Sequence, residues 1–401
     1  ARKQELTSVL PNTADVKTGK HISISVIFNF ICLSTRDGPK PFTEKRFLHV
    51  RSQMGGAMRA AVIRDFNSDL SIENVADPAC PEDGVVLEVA ACGVCRSDFH
   101  GWTGRHPRVQ NGSILGHEYC GTVVEAGPRS HHKIGERLIA PFILACGNCP
   151  ACHTGVSNTC ENQIVPGFGA QGAYAEYVAV PFDHNLVHLP ATMTPALAAG
   201  LGCRVTTAWH ALTDRANVRA GEWVAVHGTG GIGLATLLLA KMLGAQVVVV
   251  DIVDEKLEHA KQHGADATVN ASKTDVAAAI RDITGGGAQV SIEALGIEAT
   301  TNASVECLAT LGRHVHVGMP SGSGEMKINM RAIYTKQLAF YGTRGMPAWK
   351  YPSLLGLIER GEVDISPMVA REIPLSGASA ELRAMKGPTP PGTAVITDFS
   401  Q

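Results

Sequence analysis

Two rhythms divide the chain. From Met58 to about Tyr177, apolar residues come in short runs broken by Gly and Pro, among them Val85–Ala90, Gly121–Glu125 and Ala175–Val180. Short β-rich runs bounded by turn residues predict strands, and their close spacing predicts a small β-rich barrel. From about Arg204 the rhythm changes. Apolar runs at Trp223–His227, Gln246–Val250, Ala267–Val269, Val290–Glu293, His314–Val317 and Ala339–Gly342 now alternate with stretches of helical period, such as Leu234–Leu243, Glu255–His263 and Val276–Ile283. Strands apolar on both faces, each followed by a helix, predict a parallel sheet covered on both sides. The expected fold class is α/β: a β-rich domain joined to a doubly wound parallel sheet. A mixed segment, Pro347 to Gln401, closes the chain.

The 401 residues suffice for two domains and a large core. A net charge of -2 gives no reason to expect nucleic acid or an acidic membrane surface as partner. No apolar run reaches the roughly 18–20 residues that span a bilayer. Residues 1–57 stand apart. They hold Lys17 and Lys20, then one apolar stretch, Ile22–Leu33, and end at Gly55-Gly56-Ala57, where the first strand pattern begins. We expect this stretch to be a non-native or upstream-translated leader, with Met58 as the natural start; a targeting segment is the alternative.

The first strand of the alternating half runs into His227-Gly228-Thr229-Gly230-Gly231-Ile232-Gly233 and then a helix. In that context the glycines have separate tasks. Gly228 permits a tight turn, Gly230 lets backbone approach a pyrophosphate, and Gly233 lets helix and strand pack closely. The free N–H groups of the helix start face the phosphates. Asp251 ends the next strand, where a carboxylate accepts from both ribose hydroxyls and repels a 2′-phosphate, so NAD is expected over NADP. Lys256 is placed to reach the same ribose or to remain a solvated helix lysine.

Four of the eleven cysteines fall in one run, Cys146-x2-Cys149-x2-Cys152-x7-Cys160. Two-residue gaps let neighbouring thiolates turn onto one ion, and Zn2+ favours four such ligands. A disulfide knot and an iron–sulfur cluster are the alternatives. Four thiolates fill a tetrahedral shell, so this run reads as structural. A second set of ligand types is dispersed: Gly93-Val94-Cys95-Arg96-Ser97-Asp98-Phe99-His100, then Gly116-His117-Glu118, then Cys203. A catalytic zinc keeps three protein ligands and an open position. Spacing alone does not bring Cys203 to His117.

Taken together and in this order, the Gly93–Asp98 segment, Gly116-His-Glu, the four-cysteine lobe and the glycine loop resemble the medium-chain, zinc-dependent alcohol dehydrogenases. The resemblance covers Met58 to Gln401. It implies a GroES-like catalytic domain (58–204 and 343–401) interrupted by a Rossmann NAD-binding domain (205–342). It further implies Cys95, His117 and Cys203 as ligands of a catalytic zinc, with Glu118 behind the metal and Asp98 orienting the histidine. Cys146, Cys149, Cys152 and Cys160 would hold a second, structural zinc. Ser97 would take the alcohol proton and His100 would pass it on, as suits an imidazole with a pKa near ~6.5. Arg96 would face the pyrophosphate, and Thr207 and Ile232 the nicotinamide. One departure stands out: where many relatives carry an Arg in a late G-x-x-x-G-R segment, this chain has Gly387-Pro-Thr-Pro-Pro-Gly392-Thr393, with Pro390-Pro391 to stiffen the loop.

The implied activity is reversible oxidation of an alcohol to an aldehyde or ketone with hydride transfer to NAD+. Zinc supplies the acidification that an alcohol needs at neutral pH. A polyol or threonine dehydrogenase is the nearest rival; many of those place a Glu near the third zinc position, which here is Cys203. A non-catalytic NAD- and zinc-binding protein is the rival from another class. The expected partners are a small alcohol or aldehyde and further copies of the chain, a tetramer in preference to a dimer. Trp102, His106, Phe142 and Phe168 are candidates to line the pocket. The remaining thiols, Cys32, Cys80, Cys92, Cys120 and Cys307, point to a reducing cytoplasm.

Overall fold

A computed structural model describes residues 56–320, 324–387 and 392–401. The leader expected over 1–57 and the Pro390-Pro391 stiffening therefore lie almost wholly or wholly outside the described residues.

The chain opens with a hairpin, β1 (Ala57–Val62) and β2 (Ser71–Ala76), paired antiparallel. Next come β3 (Val85–Gly93), α1 (Arg96–Trp102), β4 (Glu118–Ala126), β5 (Arg137–Ile139), a short α2 (Pro150–His153), β6 (Tyr177–Val180), β7 (Val187–His188) and α3 (Pro195–His210). The nucleotide-type half follows as β8 (Trp223–His227), α4 (Gly231–Met242), β9 (Gln246–Asp251), α5 (Asp254–Gln262), β10 (Ala267–Asn270), α6 (Val276–Thr284), β11 (Ala288–Glu293), α7 (Glu298–Glu306), β12 (Leu308–His316), α8 (Met330–Lys336) and β13 (Ala339–Gly342). Last are α9 (Tyr351–Glu359), β14 (Val369–Pro374), α10 (Ala378–Ala384) and β15 (Thr393–Asp398).

β8 to β13 form a parallel sheet in the order β10-β9-β8-β11-β12-β13. Numbered from β8, that is the 3-2-1-4-5-6 order of dinucleotide-binding sheets, whose ligand crevice opens where the order reverses, between β8 and β11. The Val247–Val250 run is buried throughout, as a central parallel strand requires. The other strands make a largely antiparallel sheet, β14-β15-β3-β4-β5-β7, with β6 on β3. β15 pairs with β3, so the last segment of the chain completes the first half.

The expected domain boundary at 204/205 falls inside α3, just after a kink in that helix. Thr194 caps its start by accepting from Leu197 N–H (3.3 Å), with Pro195 at the first position. The helix is kinked at Gly202 (φ 26, ψ -143). A Cβ there would stand 2.4 Å from Glu118 Cδ, so only glycine lets this turn close over the carboxylate. One apolar cluster joins Ala91 and Cys120 of the β-rich half to Leu201 and Val205 of α3 and to Val224 and Val226 of β8. The two halves are thus tied by a common core at α3.

The parallel sheet also buries histidines that the strand patterns do not explain. His227 ends β8 at 1% exposure, with Nδ1 unpartnered and Nε2 3.7 Å from Cys307 Sγ. His314 on β12 lies by Ser304 Oγ (2.9 Å) and Ser291 Oγ (3.3 Å). Burial pushes both imidazoles down to about 3. Their unfolded pKa is near ~6.5, so the unfolded chain takes up protons that the native chain refuses. Stability should fall as the pH drops from about 6.5 toward 3, by up to ~1.4 kcal/mol per pH unit for each histidine. His227→Leu is expected to reduce this slope by roughly 1 kcal/mol per pH unit in denaturant titrations between about pH 5 and 6.5. An unchanged slope would count against this origin.

Candidate active site

Cys95 caps the start of α1, and the bonds that fix it run through one carboxylate. Asp98 Oδ2 accepts from Cys95 N–H (2.9 Å), and Oδ1 accepts from Gly116 N–H (3.2 Å) and meets His117 Nδ1 (3.1 Å). Asp98 is fully buried. It locks the start of α1, the turn before β4 and the His117 ring in one arrangement. With Nδ1–H donated to Asp98, His117 Nε2 keeps its lone pair for a metal.

The kink at Gly202 delivers Cys203 to the same place. Cys95 Sγ and Cys203 Sγ are 3.3 Å apart, and one ligand atom from each of Cys95, His117, Glu118 and Cys203 lies within 4.8 Å of the others. The site is strained electrically. The hydrogen bond from Cys203 holds the Cys95 thiol well below its usual range, and the same shared proton pushes Cys203 well above it. Burial opposes charge on His117, but Asp98 and Cys95 hold it well above its ordinary value. Burial drives Glu118 up to about 7. Two close sulfurs and an imidazole, buried together, are what a thiolate-preferring cation relieves, so the donor set fits zinc. Glu118 borders the same cluster and is engaged by its neighbours: Oε1 accepts from Cys203 N–H (3.0 Å), and Oε2 lies 3.5 Å from Arg204 Nη1.

Around this set, Phe142 and Phe168 stack edge-on to the His117 ring at 5.9 and 5.2 Å, and His106 stacks on Phe168 at 4.6 Å. These three candidate pocket residues do gather on the His117 side of the Cys95–His117–Cys203 cluster. Trp102 does not: it is fully buried, with Nε1 donating to Ser68 C=O (2.6 Å), and serves as packing. Ser97 Oγ lies 3.8 Å from Cys95 Sγ. His100, half-buried one turn along α1, is pushed down by burial and by Arg96 and Arg105, and so is a neutral imidazole near pH 7. Arg96 is exposed; its guanidinium donates to Met385 C=O and stacks on Phe99. Thr207 is buried, its hydroxyl accepting from Gly345 N–H (3.1 Å).

The glycine loop has the geometry its spacing implies. Gly228 has φ 98. A Cβ on Gly233 would stand 1.8 Å from Gly228 O, whereas one on Gly230 would meet no protein atom. Gly230 caps α4, and Gly231 and half-buried Ile232 begin it. Asp251 Oδ2 accepts from Thr229 N–H (3.0 Å) and its hydroxyl, while Oδ1 accepts from Ile252 N–H (2.8 Å) and Val253 N–H (3.1 Å). Burial opposes its charge, but the Thr229 bonds hold its pKa below the usual range. Lys256, half-buried on α5, adds favourable charge. A ribose would have to share these lone pairs with the loop.

The cysteine run forms a second centre. Sγ–Sγ distances are 3.4 Å (Cys149–Cys152), 3.7 Å (Cys149–Cys160) and 3.5 Å (Cys146–Cys160), and one sulfur from each of the four lies within 4.8 Å of the others. A third grouping, His132, Glu136 and His188, lies by β5 and β7, where His132 Nδ1 and Glu136 already pair at 2.8 Å. Arg204, which contacts both Glu118 and the glycine loop, was not singled out by any sequence pattern.

Comparison with known proteins gives two family matches: an alcohol dehydrogenase GroES-like domain over residues 81–191, and a zinc-binding dehydrogenase domain over residues 231–360. An alcohol dehydrogenase of Geobacillus stearothermophilus is 36% identical over 266 residues, 66% of this chain and 78% of that protein. An L-threonine 3-dehydrogenase of Bacillus velezensis is 30% identical over 331 residues, 80% of this chain and 94% of that one. Among solved structures, the alcohol dehydrogenase TADH from Thermus sp. ATN1 superposes with a TM-score of 0.79 at 29% identity, covering 85% of this chain and all (100%) of the other.

Proposed function

This chain belongs to the zinc-dependent medium-chain alcohol dehydrogenases, and on that premise we propose that it oxidises an alcohol reversibly to an aldehyde or ketone, with NAD+ taking the hydride and two zinc ions held per chain. The observation that carries this reading is the meeting of Cys95, His117 and Cys203 in one largely buried cluster, which Glu118 borders while accepting from Cys203 N–H. When bound, zinc would acidify the alcohol in one direction and polarise the carbonyl in the other.

The chain's own residues do the rest. Asp98 fixes the His117 tautomer. Phe142 and Phe168 exclude water and shape an apolar pocket. Ser97 lies beside Cys95 to receive the hydroxyl proton, and His100, neutral and half-buried, accepts it toward solvent. Thr207 and Ile232 flank the nicotinamide. Gly228 to Gly233 hold the pyrophosphate, and Asp251 takes the adenosine ribose and disfavours a 2′-phosphate. Cys146, Cys149, Cys152 and Cys160 hold the structural ion.

β13 is an unpaired sheet edge among the described residues, and Leu311, Met330, Tyr334 and Phe340 on β12, α8 and β13 are exposed. An apolar strand edge favours self-association, so the enzyme is proposed to be a homo-oligomer, a tetramer in preference to a dimer. The ten described cysteines are all unbridged, in keeping with a cytoplasmic site of action.

A panel of primary, secondary and aromatic alcohols, polyols and L-threonine, followed by NADH absorbance on purified protein, tests the reading. We expect turnover of simple or aromatic alcohols, with NAD+ preferred over NADP+ by about tenfold or more in kcat/KM. Preference for threonine or a polyol, or no turnover of any member, would overturn it. Metal analysis and light scattering on the same preparation test the two zincs and the assembly.

A further inference from the structure

Arg204 follows Cys203 on α3 and is buried, with its side chain 9% exposed. A buried guanidinium is costly unless its N–H groups and charge are matched. Here the matching is incomplete. Nη2 donates to Val94 C=O (2.7 Å), but Nη1 has no hydrogen-bond partner, and Glu118 Oε2, 3.5 Å away, has none either. On its other side Arg204 lies against the glycine loop: a Cβ on Gly231 would stand 2.2 Å from Arg204 Cδ and 2.8 Å from Nε. Gly231 is the first residue of α4, whose free N–H groups are suited to receive phosphates. The neighbouring Gly230 faces open space. One cation thus touches the carboxylate beside the metal ligands and the turn that receives the dinucleotide.

The same corner is where the late-segment arginine is missing. Val94 N–H donates to Ala394 C=O (2.9 Å), next to Thr393, which is 3% exposed with an unpartnered hydroxyl. Arg96, the other arginine nearby, is exposed and engaged with Met385. α3 thus adds a buried positive charge at this corner beside the exposed Arg96 of α1.

We propose that Arg204 is a cation against which the cofactor's pyrophosphate binds, a binding residue that also offsets the charge of Glu118. This rests on the dinucleotide reading above. A fixed positive charge beside an anion in a partly dry site contributes more than one at the surface, so its removal should be felt as a loss of phosphate affinity.

The test compares ADP-ribose, which carries the pyrophosphate, with adenosine, which does not, by calorimetry on the zinc-loaded full chain. Arg204→Met should weaken ADP-ribose by about tenfold or more, leave adenosine within about twofold, and flatten the salt dependence of ADP-ribose binding. Arg204→Lys, which keeps the charge, should recover most of the loss and guards against a misfolded methionine variant. Equal losses for both ligands, or wild-type ADP-ribose affinity in Arg204→Met, would overturn the proposal. Failure of the wild-type chain to bind ADP-ribose would instead sink the dinucleotide reading.

Discussion

Replacing Cys95 with alanine is expected to lower kcat by about 1,000-fold or more while leaving the fold intact. The size follows from what the sulfur does. A metal that acidifies the alcohol contributes several kcal/mol to the transition state, and each ~1.4 kcal/mol is a factor of ten. With Cys95 gone, His117 and Cys203 remain, and Glu118 is tied to Cys203 N–H and Arg204. Two ligands, with Glu118 already engaged by its neighbours, should not retain zinc at a useful occupancy. The fold should survive because Cys95 is held through its backbone: its N–H bonds Asp98, and Asp98 also holds Gly116 and His117. Losing one small buried side chain costs about 1–2 kcal/mol. The check is threefold: kcat, zinc per chain and thermal midpoint. Loss of turnover with one zinc fewer and a melt within a few degrees of wild type is the expected pattern. A variant that keeps its full zinc content and its kcat would show that Cys95 is no ligand.

The contrast between what was and was not legible in the sequence is instructive. The glycine loop was readable because its function is local: Gly228, Gly230 and Gly233 act through their own turn and the helix that follows. The cysteine run was readable for the same reason. Cys95, His117 and Cys203 were not, because what unites them is a backbone event, the kink at Gly202 that folds α3 over Glu118. Only resemblance supplied that grouping beforehand. Arg204 escaped altogether. Its partners, Val94, Glu118 and Gly231, lie on three separate elements, and an arginine in a helix reads by default as a solvated residue. His227 and His314 escaped for a related reason. In an apolar strand run they pass as pattern breaks, and only the sheet reveals that burial leaves them neutral. The expected boundary at 204/205 followed a change of rhythm, but the rhythm changes inside a helix that serves both halves.

Cys149→Ser should act on stability first and on chemistry second. The lobe it belongs to has almost no core of its own: Ala145, Cys149 and Cys160, with Cys146, Ala151 and Cys152 packed against them. Its one α-helix, α2, has four residues, and a 3-10 turn at Ser157–Thr159 adds three, far too few to persist alone. Beside a few hydrogen bonds to its surroundings, shared ligation of an ion is expected to be the main interaction that holds it. The thiols are already biased toward that state. Backbone N–H groups of Cys152 and Glu161 pull Cys149 down to about 6, and that of Asn148 lowers Cys146, whereas burial pushes Cys152 up to about 12 and raises Cys160. A metal-free lobe near pH 7 therefore keeps protons on at least Cys152 and Cys160, and zinc must displace them, so its affinity should weaken as the pH falls. Removing one sulfur should cost about 3 kcal/mol, or roughly 5–10 °C in the thermal midpoint, with one zinc lost per chain. The damage should also reach the cofactor. Trp349 Nε1 donates to Gly155 C=O (2.9 Å) and Asn158 Nδ2 to Arg344 C=O (3.0 Å), while Gly345 N–H holds Thr207 (3.1 Å). A loosened lobe frees the 344–349 segment and with it the brace on Thr207, so NADH should bind a few-fold more weakly even where the fold persists. Limited proteolysis should cut first between 146 and 160. An unshifted melt with both zincs retained would mean that Cys149 is not a ligand and that the lobe stands without its ion.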